Sequence, residues 1–257
     1  MYGGVVELMA VYEDLRGENF SFPRLEYEPS EAAVKSIEVE ADSARFYWQV
    51  HIASVKSREG GRRLACEVVE SAINRIVFRE ELRFGPVVVA MDGLKHLGSI
   101  SNSYVFECAP ATLEVGGTVN MRFVRSPELI REEVRRCMEE ESSWRDDFYG
   151  FFRAAMQSSS PVEEFMHLYH ILLMICCDRQ PRVDALILDI CPCAEKSYSP
   201  KQKRVEETIF TRLRNEFAHR RKDVDVLDVK RRMAEIVPDI RSIVRQVIGK
   251  QSSQPEH

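Results

Sequence analysis

This chain of 257 residues is short of histidine, glycine and tryptophan, with six, twelve and two respectively. No stretch approaches the roughly 18–20 uncharged apolar residues that a helix needs to span a bilayer. The longest apolar run, residues 171–177, is a buried-helix length. The first residues lack a basic segment and carry acids where a signal peptide's apolar core would lie, so the chain reads as cytoplasmic and without a membrane role. No G-x-G-x-x-G or Walker-type glycine loop is present, which removes the common phosphate-cradling motifs. Charge of one sign is lacking too. The 36 Lys and Arg against 41 Asp and Glu leave a formal charge of −5, which excludes a protein that coats nucleic acid or anionic membranes through bulk charge.

Cysteines are present, but not as a disulfide framework. The seven, at positions 66, 108, 137, 176, 177, 191 and 193, are odd in number and scattered, as buried thiols in a reducing compartment are. Cys191-Pro192-Cys193 is the one tight pair. His167, His170, Cys176 and Cys177 are the further ligand types near it in sequence, yet neither C-x-C nor H-x-x-H has structural zinc spacing. The expectation is core thiols, a helix-end turn, core histidines at 167 and 170, no metal and no cofactor.

Composition divides the chain, and the fold class it predicts is α+β. Residues 1–126 read as a mixed α/β domain of net charge −4, from 14 basic and 18 acidic residues. Residues 5–11 and 43–55 are rich in β-branched and aromatic side chains, the content of strands. Residues 62–78 carry Leu64, Val68, Ala72 and Ile76 at helical spacing, with Val69 and Ile73 beside them, so one long helix is expected there. Short apolar runs return at 87–91, 104–108 and 119–124. No catalytic constellation appears in this half. His51 falls in a strand-like run and His96 in a loop-like one. Arg58, Arg62 and Arg63 read as a solvated helix start, and a protein partner is the role left open to the domain.

Residues 127–250 read as an all-α bundle, and 251–257 as a flexible tail. Ser126-Pro127 and Ser160-Pro161 fit an N-cap followed by proline at the first helical position. The helix after Ser160 is apolar on nearly every face and belongs at the centre of a bundle. Pro181 opens a helix to about Ile190, and Ser199-Pro200 opens one expected over 201–219. Asp228 is the expected cap of the last helix. Its Val229, Met233, Ile236, Ile240, Ile243 and Val247 keep a/d-like spacing, and Pro238 should kink it.

The 201–219 segment carries the informative chemistry. At about 100° per residue, Val205, Ile209, Leu213 and Phe217 form one apolar stripe that must face the core. Arg214, Asn215 and His219 lie off that stripe with Thr211 between them, displaying a guanidinium, an amide and an imidazole at one end of a helix. From Ser199 to Arg232 there are 11 basic and 6 acidic residues, a local excess of 5. Arg204, Thr211, Arg220, Arg221 and Lys222 are the expected phosphate- or RNA-binding rim around this point. The same charges also suit a solvated face and a helix C-terminus, where a cation stabilises the macrodipole by about 0.3–1 kcal/mol.

The run Thr211-Arg-Leu-Arg214-Asn215-Glu-Phe-Ala-His219 resembles the R-x4–6-H motif of the HEPN superfamily of small helical domains, in which a polar residue follows the arginine. The mixed front half, followed by Val183-Asp-Ala-Leu-Ile-Leu-Asp and then this run, resembles the methylamine utilization MauJ group. The HEPN resemblance implies metal-independent RNA cleavage at a site assembled across a homodimer, with single-stranded RNA or a nucleotide as ligand. Arg214, Asn215 and His219 would then be catalytic. A histidine titrating near neutrality would move the proton, the arginine would bind the phosphate bidentately, and Asn215 would orient either. The alternative is a non-catalytic binding or assembly module, accessory to methylamine utilization.

Overall fold

The computed structural model describes residues 1–14, 21–29, 31–80, 82–97, 126–140, 145–198, 206–219 and 225–250. The apolar runs expected at 104–108 and 119–124 and the tail at 251–257 lie outside them. The chain divides into two compact units, Met1–Asp146 and Asp147–His257.

The first unit is a sheet of antiparallel pairs with helices. Its strands are β1 (Tyr2–Asp14), β2 (Phe22–Tyr27), β3 (Val34–Ala41), β4 (Arg45–Val55), β5 (Leu82–Phe84), β6 (Val88–Asp92) and β7 (Lys95–His96), with α1 (Arg58–Glu80) between β4 and β5. The order is β2-β3-β4-β1-β5, and β6 and β7 also pair with β1. His96 thus lies in a short strand rather than the loop expected for it. Strand residues alternate faces, and register aligns the inward ones. Val6, Leu8 and Ala10 of β1 stand opposite Val50, Trp48 and Phe46 of β4, which in turn stand opposite Ile37, Val39 and Ala41 of β3. All are buried.

Tyr12, Phe22, Phe46, Trp48 and Phe84 close this face as an aromatic cluster, with ring centroids 5.0–6.3 Å apart. Each such side chain, fully buried, contributes roughly 1.5–3 kcal/mol. Helix α1 packs on β1, β4 and β5 through Ala65, Val69, Ala72, Ile73 and Ile76. Gly4, at φ +142°, sits where β1 shifts register, and a Cβ there would lie 2.5 Å from the Gly93 carbonyl oxygen, so a side chain is excluded.

Helix α2 (Pro127–Glu139) belongs to this first unit and packs against α1 and β2. Buried Arg75 of α1 holds its far end. Its guanidinium donates to the carbonyls of Cys137 and Glu140 at 3.1 and 2.5 Å, and to both carboxylate oxygens of Asp146 at 3.1 and 2.9 Å. A planar fork on a carboxylate, with the remaining donors on helix C-terminal carbonyls, satisfies the group in a way that lysine cannot. Arg58, one of the solvated helix-start arginines of the sequence reading, instead donates to Asp92 at 2.8 Å.

The second unit is helical. Helix α3 (Arg145–Met156) begins at the division, and α4 (Pro161–Ile175), α5 (Gln180–Ile190), α6 (Ile209–His219) and α7 (Val226–Lys250) follow. Helix α4 packs against α5, α6 and α7. Ser160 caps α4 as expected, accepting from the Glu163 N–H at 3.2 Å. The cap of α7 differs from expectation: Asp225 accepts the Leu227 N–H at 2.9 Å, while Asp228 pairs with Arg231. Helix α7 is one helix of 25 residues that runs through Pro238.

The fold class is α+β, yet the helical unit is not purely α. Strands β8 (Lys196–Tyr198) and β9 (Glu206–Thr208) form a two-stranded ribbon. The helix expected over 201–219 therefore starts only at Ile209. Pairing of Thr208 with Lys196 holds the preceding residues extended, and the Thr208 hydroxyl then starts the helix.

Candidate functional site

The polar residues of α6 gather around its first turn. Thr208 precedes the helix in the N-cap position, and its hydroxyl accepts the Thr211 N–H at 3.4 Å. The Asp184 carboxylate of α5 accepts both the Thr208 N–H, at 2.9 Å, and the Thr208 hydroxyl, at 2.7 Å. A carboxylate here also faces the positive end of the α6 dipole. The Thr208 proton goes to this charged, nearer acceptor, so Thr211 supplies the proton in the 3.4 Å contact between the two hydroxyls. Tyr169 of α4, 2.8 Å from the Thr211 hydroxyl, completes the chain of hydroxyl groups. Burial pushes the Tyr169 phenol above its usual range against the opposing effect of the Thr211 hydrogen bond, and the Asp184 carboxylate adds to the rise.

Arg214 closes the node. Its guanidinium carbon lies 5.9 Å from the Tyr169 ring centroid, and Nη1 donates to Asn215 Oδ1 at 3.1 Å. Arg212 donates to Glu216 one turn on at 2.9 Å, and this hydrogen bond raises the arginine above its ordinary value. One turn and more before Tyr169 on α4, buried Glu164 accepts from Arg241 of α7 at 2.6 and 2.9 Å.

The expected display is only partly present. Thr211 is 0% exposed and Asn215 7%, so both face inward, while Arg214 is half-buried and His219 is exposed at the helix end. The helical wheel assigned the core side to the apolar stripe alone. Helix α6 packs against α4, α5 and α7, and its buried side takes in Thr211 and Asn215 beside Ile209 and Leu213, while Phe217, expected in the core-facing stripe, is only half-buried. Arg214 and Asn215 are brought together. Arg204, Arg220, Arg221 and Lys222 lie outside the described residues.

His167 and His170, expected in the core, are exposed on α4, and His167 Nδ1 lies 3.0 Å from the Ser158 hydroxyl. Tyr169, Asp184 and Thr208 were not among the site residues that the sequence pointed to. An aspartate beside Val183 on the apolar side of α5 was the signal available, although the second aspartate of that helix, Asp189, lies outside the core. Among the described residues no three His, Cys, Asp or Glu side chains are grouped to hold a metal ion, and no helix is long and apolar enough to cross a membrane.

The second unit is thus a small helical bundle built around a buried polar node at the start of α6. Over residues 148–249, which take in α4 to α7, the chain matches the family model of methylamine utilization protein MauJ. No curated protein and no solved structure matches it.

Proposed function

We propose that this protein is an accessory of methylamine utilization whose helical unit is a binding and assembly module rather than a catalyst. The observation that carries this reading is the MauJ match, which spans the entire polar node and the helices that hold it. The geometry favours a non-catalytic role for the same residues. Thr211 and Asn215 are buried, and Arg214 is engaged by Tyr169 and Asn215. What α6 offers to a partner is its exposed end at His219, followed in sequence by Arg220, Arg221 and Lys222. That end suits an acidic surface, a second copy of the chain or a phosphate.

The HEPN resemblance gives the competing reading, an endoribonuclease in which Arg214 and His219 of two copies face each other. Two experiments separate the readings. A deletion strain of the source organism is grown on methylamine and on ammonium. Slow growth on methylamine alone, restored by the wild-type gene, is expected. Equal growth on both would sink the accessory role. Purified wild type, Arg214→Ala and His219→Ala are then compared for cleavage of single-stranded RNA in EDTA. No difference among the three is expected, whereas cleavage by wild type that both substitutions abolish would install the endoribonuclease instead.

A further inference from the structure

Helix α5 ends in a turn that is fixed at both sides. The Cys191 N–H donates to the Ile187 carbonyl at 2.7 Å, and the Ala194 N–H donates back to the Cys191 carbonyl at 3.0 Å. Residues 191–194 therefore make a β-turn with Pro192 in its second position, where the ring presets the backbone. Leaving the turn, the Glu195 carbonyl accepts the Ile209 N–H at 2.8 Å, which ties the segment to the start of α6.

This backbone sets the two cysteine sulfurs 3.5 Å apart. Both are thiols, Cys193 exposed and Cys191 half-buried. A disulfide has its sulfurs roughly 2.05 Å apart, so closure needs about 1.5 Å of approach, within the reach of χ1 rotation. The thiol–thiol hydrogen bond to Cys193 pushes the Cys191 thiol up, helped by burial and by Asp239 of α7. Cys193 is the more exposed of the two sulfurs and so the one that attacks. Among the described residues no third His, Cys, Asp or Glu joins the pair in a metal-binding group, which leaves two-sulfur chemistry.

We propose that Cys191 and Cys193 form a reversible redox pair that exchanges with small-molecule disulfides of the glutathione type. The Cys193 thiolate attacks one sulfur of the oxidised disulfide, whose S–S bond breaks and releases one thiolate. The Cys191 thiol gives its proton to water and attacks the Cys193 sulfur, forming the ring disulfide and releasing the second thiolate. Two electrons pass from the protein dithiol to the small disulfide, and an excess of the reduced thiol runs the sequence backward. The proposal does not depend on the role given to Arg214 and His219.

Trypsin isolates the pair. Residues 183–196 form one tryptic peptide that carries Cys191 and Cys193 and no other cysteine. The reduced full-length protein is incubated with glutathione disulfide, quenched by alkylation, and this peptide is weighed. The wild-type peptide should lose two hydrogens and regain them with excess reduced glutathione. Cys191→Ser should accumulate one stable glutathione on Cys193. In Cys193→Ser the loss of free thiol should slow by about tenfold or more, since the attacking sulfur is gone. Exposed Cys177 serves as the internal reference for an ordinary surface thiol. The proposal is overturned if the wild-type peptide stays reduced, or if it carries glutathione without ever closing the ring.

Discussion

Replacing Asp184 by alanine should unfold the helical unit far more easily, and the size of the effect follows from what the carboxylate accepts. Asp184 is 7% exposed and takes two hydrogen bonds from Thr208, itself 1% exposed. Without it the Thr208 N–H has no acceptor in a site closed to water, which costs about 1–3 kcal/mol. The hydroxyl can turn toward Thr211, so its loss is smaller, while the charge removed from the α6 N-terminus adds about 0.3–1 kcal/mol. The sum is about 2–4 kcal/mol. At a urea dependence of about 2 kcal/mol per molar, the middle of the usual range, the midpoint should fall by about 1–2 M. Far-ultraviolet circular dichroism, dominated by helix, follows that transition. Asp184→Asn keeps an oxygen acceptor and should cost only about 1 kcal/mol. In a double-mutant cycle with Thr208→Val, the pair should fall well short of additivity. An alanine variant with the wild-type midpoint, an asparagine variant as damaged as alanine, or strict additivity would each refute the assignment of Asp184 as the acceptor that starts α6.

Two further outcomes rest on the same kind of accounting. Arg75→Met leaves Asp146 and the Cys137 and Glu140 carbonyls without their shared donor and should destabilise the first unit by about 3–5 kcal/mol, read by tryptophan fluorescence in urea; Arg75→Lys, which keeps charge but not the fork, should fall between it and wild type. Tyr169 has a folded-state pKa raised above its unfolded value, so its contribution is complete below about pH 10 and is lost as pH climbs toward the folded value; Tyr169→Phe should remove that part of the alkaline loss of stability, and an unchanged alkaline profile would show that Tyr169 does not carry it.

Much of the architecture is legible in the residues because burial there follows simple periods. The alternation of Val6, Leu8 and Ala10, and of Phe46, Trp48 and Val50, marks two strands, and the helical recurrence through Ala72 and Ile76 marks α1. Strands β2 and β3 escape the same reading for physical reasons. In β2 the buried residues are Phe22 and Leu25, three apart, because a register shift lies between them and Pro23 occupies the strand. In β3, Ser36 and Glu38 are buried alongside Ile37 and Val39, so both faces are covered and no polar alternation survives. Glu38 is covered by pairing with Arg24 and His51 rather than by apolar contact. The β8–β9 ribbon is three residues per strand, too short for any period to appear. At the site, the wheel correctly left His219 outside the core but misplaced Thr211 and Asn215. A wheel counts apolar residues, whereas a hydroxyl bonded to Tyr169 and Thr208, or an amide oxygen that accepts from Arg214, is buried just as well.

That distinction decides how the R-x4-H run is to be understood. Five residues along a helix turn it by about 500°, which leaves Arg214 and His219 about 140° apart around the axis. The guanidinium side turns toward Tyr169 and the polar node, and the imidazole lies at the exposed end. On one copy of α6 the two groups therefore diverge and do not converge on a ligand as small as a single phosphate. Arg214 also touches Tyr169, which is bonded to Thr211, and buried Asn215, so removing it disturbs the fold together with any surface it serves. His219 makes no such contribution to the node. Loss of a function on substitution of Arg214 alone is consequently uninformative about chemistry, and loss on substitution of His219 with an unchanged urea midpoint is what identifies the end of α6 as a working surface.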